Sequence, residues 1–218
     1  MEKFLSFFTD ILIEALGQTI YMVGISTILA TLIGFILAIV LVVTDNNGLK
    51  PNKIINSVLG FIVNTLRSFP FIILVVAMIP LTRVIVGKSI GETAALVPLT
   101  IGAAPFIARV IEGALKEVDK GLIEAAKSFG ASDFQIIFKV MIKEAMPSII
   151  SGITLSIISI IGYSAMAGAV GAGGVGAVAL TYGYQRFDNA VMAYTVITLI
   201  IIVQLLQGAG NLAYRKLK

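Results

Sequence analysis

Long uncharged apolar segments limit what this chain can fold into. Residues 20–43 run for 24 positions without a charged side chain, and residues 148–170 and 190–214 are equally apolar. A helix that crosses the hydrocarbon core of a bilayer needs about 20 such residues. Only 13% of the chain is charged, against about 25% in a typical soluble domain. The segments therefore predict an all-α integral membrane protein.

Two further apolar segments are interrupted by prolines and arginines. Residues 54–81 contain Arg67 and Pro70, and residues 91–111 contain Pro98, Pro105 and Arg109. Proline is tolerated at membrane depth only where neighbouring helices or a cavity satisfy the freed carbonyls. Both segments are therefore predicted to be broken or tilted spans inside a bundle. The prediction is one domain, 1–218, with five transmembrane helices at 15–43, 54–81, 91–111, 148–170 and 190–214.

The distribution of lysine and arginine predicts the orientation of these spans. With the N-terminus outside, the inner segments hold 11 of these residues and the outer segments hold four, with Arg67 unassigned. Inner loops carry the excess of positive charge in membrane proteins, so the prediction is N-terminus outside and C-terminus inside. Membrane topology accounts for the basic charge without nucleic acid as a partner. Residues 112–147 then form a long inner loop between spans three and four.

The inner loop carries the signals of two short helices. Asp119 can cap a helix over 121–129, and Gly130 suits the left-handed turn that ends it. Ser132 and Gln135 have the spacing of a capping box for a second helix, to residue 142. The first helix either packs on the protein's own spans or docks into a groove of a cytoplasmic partner. Its apolar stripe is Leu122, Ala125, Ala126 and Phe129.

The same loop resembles the cytoplasmic coupling loop of ABC-importer permeases. Glu124-Ala125-Ala126 followed by Gly130 matches the Glu-Ala-Ala and Gly of that family, whereas Lys143 stands where the family has proline. The resemblance implies that the first helix couples the chain to an ATPase. The coupling residues would be Leu122, Glu124, Ala125, Ala126, Phe129 and Gly130.

Other segments are similar to the methionine-import permeases of that family. They are residues 67–74, 83–87, 103–109 and 162–174. The resemblance implies alternating access by a homodimer in the bacterial cytoplasmic membrane. Its partners would be a cytoplasmic ABC ATPase dimer, which holds ATP and Mg, and an extracytoplasmic methionine-binding protein. No catalytic residue, cofactor or metal ligand is expected in this chain.

Tyr163 and Met166 are the candidate residues of the translocation path. They lie on span four beside small residues that would let two copies pack closely, and a thioether suits a methionine side chain. Packing in the bundle core is an equally good interpretation of both. For Arg67, an anchor at the inner membrane boundary is favoured over a role in transport.

Three alternative functions stay open. A permease for another amino acid or small solute would share every feature above. An ion-coupled secondary transporter usually has internal repeats and buried carboxylates, and neither is evident within the predicted spans. A channel or structural subunit would not need the inner loop.

Residues 171–176 fit the letters of a dinucleotide-binding motif, but no strand precedes them. Their glycines are therefore expected to permit turns or close helix packing.

Overall fold

The first transmembrane helix is long and uninterrupted. In a computed structural model, which describes residues 8–217 and side chains from residue 10, helix α1 spans Ile13–Thr44 after a π-helical turn at Phe8–Leu12. It ends where the Thr44 hydroxyl donates to the Val40 carbonyl and the chain turns at Asp45. The predicted span 15–43 matches these bounds closely.

The second predicted span is a sequence of three helices. They are α2 (Lys53–Ser68), α3 (Phe71–Ala77) and α4 (Ile79–Val86). Pro70 cannot donate a backbone hydrogen bond, and α2 and α3 meet there at 103°. The predicted break is confirmed. The predicted place of this span inside the bundle is wrong for α2 in the single chain, because Val63 is its one buried residue.

The third span does lie inside the bundle, but it is not broken. Helix α5 runs without interruption over Glu92–Lys116, with Pro98 and Pro105 inside it and both buried. This span was predicted to be broken or tilted; it is not broken, and both prolines are packed inside the bundle.

The inner loop contains helix α6 (Lys120–Ser128), and the next helix follows after four residues. That helix, α7, spans Asp133–Gly168 without a break and includes a π-helical turn at Ile136–Met141. The predicted end at residue 142 and restart at 148 are therefore wrong. Pro147 lies inside α7, where one missing hydrogen bond does not end the helix.

Two helices complete the chain. Helix α8 (Gly174–Val178) continues into a π-helical segment, Ala179–Tyr184, and α9 spans Asn189–Leu217. Within residues 8–217, four helices are long and apolar enough to cross a membrane, and the bent α2–α3 pair allows a fifth crossing. The orientation of these helices stays a prediction.

Small residues bring the two central helices, α1 and α5, into close contact. Ala30 and Ala38 of α1 are fully buried, and Ala103 and Ala108 of α5 are at most 1% exposed. A Cβ atom on Gly34 would lie 2.9 Å from the Ala104 carbonyl oxygen. Small residues let membrane helices approach until their backbones touch, and this pair forms the centre of the bundle.

Candidate functional site

Local hydrogen bonds fix the shape of the inner loop. The Gly121 N–H donates to Asp119 Oδ1 at 2.6 Å, which begins α6. Gly130 has φ +78°, a left-handed conformation that side chains rarely adopt, and it turns the chain after α6. Ser132 and Gln135 form the predicted capping box at the start of α7. The loop is therefore preorganised, and all three predicted signals are confirmed.

The predicted apolar stripe of α6 is divided between two directions. Ala126 packs on the bundle together with Ile123, which the stripe did not include. Leu122 is 45% exposed, and Phe129, just beyond the helix, is 91% exposed. Ala125 and Glu124 are exposed as well. One side of α6 thus packs on the protein's own bundle, while the other side leaves apolar side chains exposed.

Two further aromatic residues lie exposed on the inner loop, at the start of α7. Phe134 is 67% exposed and Phe138 is 40% exposed, and their ring centroids are 4.4 Å apart. They are not among the predicted coupling residues, although their spacing of four residues on one helix face is a usable signal. We call Leu122, Phe129, Phe134 and Phe138 together the inner docking surface.

A buried carboxylate joins two cations at the inner end of α5. Glu112 is 5% exposed, and its oxygens lie 2.6 Å from Arg109 Nη1 and 2.9 Å from Lys116 Nζ. Arg109 Nη2 also donates to Asn64 Oδ1 of α2. Because the negative charge lies between two positive ones, its desolvation is compensated. Glu112 falls in the predicted loop 112–147, and its role between the two cations was not predicted from the sequence.

The network continues to the end of α1. Lys116 Nζ lies 2.6 Å from Asp45 Oδ2. Hydrogen bonding to the Lys116 ammonium holds the pKa of the Asp45 carboxyl below its ordinary value. These contacts tie α1, α2 and α5 together, and Asp45 and Lys116 line one cavity with Lys120, where α6 begins.

The break in the second span encloses a small cavity, which we call the elbow cavity. Its volume is about 130 Å³. The Phe71 ring stacks on Tyr163 with centroids 4.5 Å apart and an interplanar angle of 12°. A Cβ on Gly102 would lie 3.1 Å from the Phe71 ring, so glycine leaves room for it. The lining is Leu66, Arg67, Phe69, Phe71, Leu74, Gly102, Phe106 and Tyr163.

The cavity lies at the middle depth of the bundle. Gly102 is ten residues from each of Glu92 and Glu112 on α5, about 15 Å along the axis at 1.5 Å per residue. Arg67 lines the same cavity. The expectation of an anchor at the inner membrane boundary is therefore wrong, because the break at Pro70 leaves the end of α2 at mid-depth. Met166 does not line the cavity; it lies three residues beyond Tyr163 and is 48% exposed.

The glycine-rich segment after α7 binds the protein's own side chains. The Gly174 N–H donates to Gln18 Oε1 at 2.7 Å, and the Val175 N–H donates to Thr19 Oγ1 at 3.0 Å. A Cβ on Gly176 would collide with the Ala165 backbone. The predicted role of these glycines in turns and close packing is confirmed, and the N–H groups that a phosphate would need are occupied.

Known proteins resemble this chain over most of its length. The model of the family "binding-protein-dependent transport system inner membrane component" matches residues 30–216. A protein of Vibrio cholerae named probable D-methionine transport system permease protein MetI is 49% identical over 208 residues, 95% of this chain and 92% of that protein. The methionine import system permease protein MetP of Bacillus subtilis is 47% identical over 79% of this chain and 78% of its own.

Solved structures give the same result. One crystal form of inward-facing conformations of the MetNI methionine ABC transporter contains a chain with 45% identity and a TM-score of 0.94, and the match covers 95% of this chain and 96% of that one. An amino acid ABC transporter crystallised with histidines matches with a TM-score of 0.77 at 19% identity over 94% and 92% of the two chains, which is evidence of the fold alone.

Proposed function

Because the chain belongs to the family of binding-protein-dependent transport system inner membrane components, we propose that it is the permease subunit of an ATP-driven importer that carries methionine into the cell. The observation that carries this proposal is the match to relatives named for methionine transport, at 49% and 47% identity. The described side chains add two features that a permease needs. One is a solvent-exposed apolar surface on the inner loop, and the other is a cavity at the middle depth of the bundle.

The inner docking surface supports an ATPase as the cytoplasmic partner. Its two aromatic residues with the greatest exposure, Phe129 and Phe134, are 91% and 67% exposed. Exposed aromatic anchors are typical of interface hot spots. Leu122, Glu124, Ala125 and Gly130 would accompany Phe129 at the contact, while Ala126 would hold α6 on the bundle. ATP and Mg would be bound by the ATPase, and its closure would move α6 as a rigid body.

The polarity of α2 supports a second copy of the chain as the lateral partner. This helix carries Asn64 and Arg67 on a largely exposed surface. Polar residues in membrane spans face bundle interiors or water-filled cavities and avoid lipid. A homodimer with α2 beside a central cavity would meet that requirement. An extracytoplasmic methionine-binding protein would deliver the substrate to the outer side.

The charge distribution supports an inner membrane protein with its N-terminus outside. The ends of α1 and α5, which the Asp45, Glu112 and Lys116 network joins, lie on the same side as the inner docking surface. This is also the side with 11 lysine and arginine residues in the predicted topology. Lys3, one of the four outer residues, lies outside the described residues. The bacterial cytoplasmic membrane is the proposed location.

The test is uptake of labelled methionine into proteoliposomes that hold this chain, its cognate ATPase and its binding protein. Uptake should require ATP on the side of the inner loop, and unlabelled methionine should compete while polar amino acids should not. ATP-dependent uptake of a different solute would contradict methionine as the substrate. Uptake that does not depend on ATP would contradict the importer as a whole.

A further inference from the structure

The two arginines within the predicted spans have different surroundings. Arg109 is neutralised by Glu112 at 2.6 Å and also donates to Gly60 O and Asn64 Oδ1. Arg67 has no hydrogen bond or ion pair with any residue of the described range 8–217. A cation at membrane depth is costly without a partner, so the anion that balances Arg67 has to be sought outside this chain's own contacts.

A second copy of the chain cannot provide that anion. The sequence contains no Asp or Glu between Asp45 and Glu92, between Glu92 and Glu112, or between Glu144 and Asp188. These intervals include all of α2, α3 and α4, the middle of α5 and the part of α7 that carries Tyr163. Every carboxylate near the bundle therefore lies toward one of its two ends. Gly102 in the wall of the elbow cavity lies about 15 Å along α5 from each of its two acidic residues, Glu92 and Glu112.

The walls of the elbow cavity are built to keep Arg67 accessible. Gly102 leaves space for the Phe71 ring, and Phe71 in turn stacks on Tyr163, which fixes the wall opposite α2. The cavity is thus lined by a guanidinium, which can bind a carboxylate, and by the tyrosine on which Phe71 stacks.

We propose that the elbow cavity is the site where the permease holds the polar head of its amino-acid substrate, with Arg67 binding the α-carboxylate and Tyr163 forming the opposite wall. The guanidinium fork matches a carboxylate in two-point geometry. This inference rests on the proposed import of an amino acid, and it assigns the charge that the permease recognises in transit. The side chain of the substrate would extend away from Arg67.

The absence of cysteine from the sequence permits a direct test by charge rescue. Arg67→Cys is compared with Arg83→Cys, which alters an exposed arginine of α4 outside the cavity. Loss of one hydrogen-bonded charge should lower methionine uptake by about 10- to 100-fold, while Arg83→Cys should keep the uptake of the wild type. Treatment of Arg67→Cys with a thiosulfonate that adds an aminoethyl group should restore much of the uptake, and one that adds a sulfonate should not. Arg83→Cys should respond to neither.

Two further measurements identify the anion and guard against misfolding. The ratio of wild-type to Arg67→Cys uptake should persist in vesicles of phosphatidylcholine alone, whose head groups carry no net charge. A ratio near one there would mean that an anionic lipid is the partner, which overturns the proposal. If Arg67→Cys does not assemble, Arg67→Lys and Arg67→Gln replace it, and only the lysine variant should retain uptake. If vesicles that hold the wild-type complex take up no methionine, that result contradicts the proposed function. Normal wild-type uptake together with an unimpaired Arg67 variant contradicts this inference alone.

Discussion

Replacing Phe129 with alanine should weaken assembly with the ATPase more than any other single change on the inner loop. The ring is 91% exposed, so nearly all of its surface is available to a partner. A buried phenylalanine contributes about 150–250 Å² of contact, and at about 25 cal/mol per Å² this corresponds to roughly 4–6 kcal/mol. Ordering and desolvation reduce the measured value to about 2–4 kcal/mol at an interface hot spot, or about 30- to 1,000-fold in Kd.

The assay is the Kd between the purified permease and its fluorescently labelled ATPase subunit in detergent. Phe187→Ala is the matched control, because Phe187 is 84% exposed but precedes α9 at the opposite end of the bundle. Both variants should show the wild-type midpoint of thermal unfolding, since neither ring is buried in the single chain. A Kd for Phe129→Ala within twofold of that for Phe187→Ala would refute the assignment of Phe129 to the interface.

Three further predictions concern stability, each measured as the midpoint of thermal unfolding of the purified chain. Gly34→Ala should cost about 1–3 kcal/mol by overpacking, because its Cβ would lie 2.9 Å from the Ala104 carbonyl oxygen, whereas a Cβ on Gly24 meets nothing within 4 Å; equal midpoints for Gly34→Ala and Gly24→Ala would contradict this. Glu112→Gln should cost about 3 kcal/mol, since it leaves two cations facing each other. The control is Glu117→Gln, which changes an exposed glutamate nearby and should cost less than about 0.5 kcal/mol, as surface substitutions usually do. Asp45→Asn should lower the midpoint at pH 7, and because the pKa of Asp45 is lowered in the folded chain, the difference should shrink as the pH falls below about 4; a constant difference down to pH 3 would contradict the ion pair.

The inner loop shows how far local signals reach. Asp119, Gly130 and the Ser132–Gln135 pair were identified correctly, because caps and left-handed turns depend on residues within four positions of each other. The direction of each side chain of α6 was not predictable in the same way. Ala126 and Phe129 belong to one stripe in the sequence, yet the first packs on the bundle and the second is exposed. The packing of α6 against the π-helical turn at Ile136–Met141 decides which of its side chains are covered.

Proline indicates where a helix can break, but not whether it does. At Pro70 the chain breaks with an angle of 103°, whereas α5 continues through Pro98 and Pro105 and α7 continues through Pro147. Each proline removes one backbone hydrogen bond. Whether the helix then ends depends on the packing of the helices around it, which the sequence does not contain.

The sequence by itself determined that the chain is an all-α membrane protein with several apolar helices, and that its inner loop carries a capped short helix. These follow from hydrophobicity and from contacts between near neighbours, both of which act before any tertiary contact forms. The tertiary structure alone decided that Glu112 is a buried bridge between Arg109 and Lys116, and that Arg67 and Tyr163 line one cavity. Arg67 and Tyr163 are 96 positions apart, and only the packing of α3, α5 and α7 brings them together.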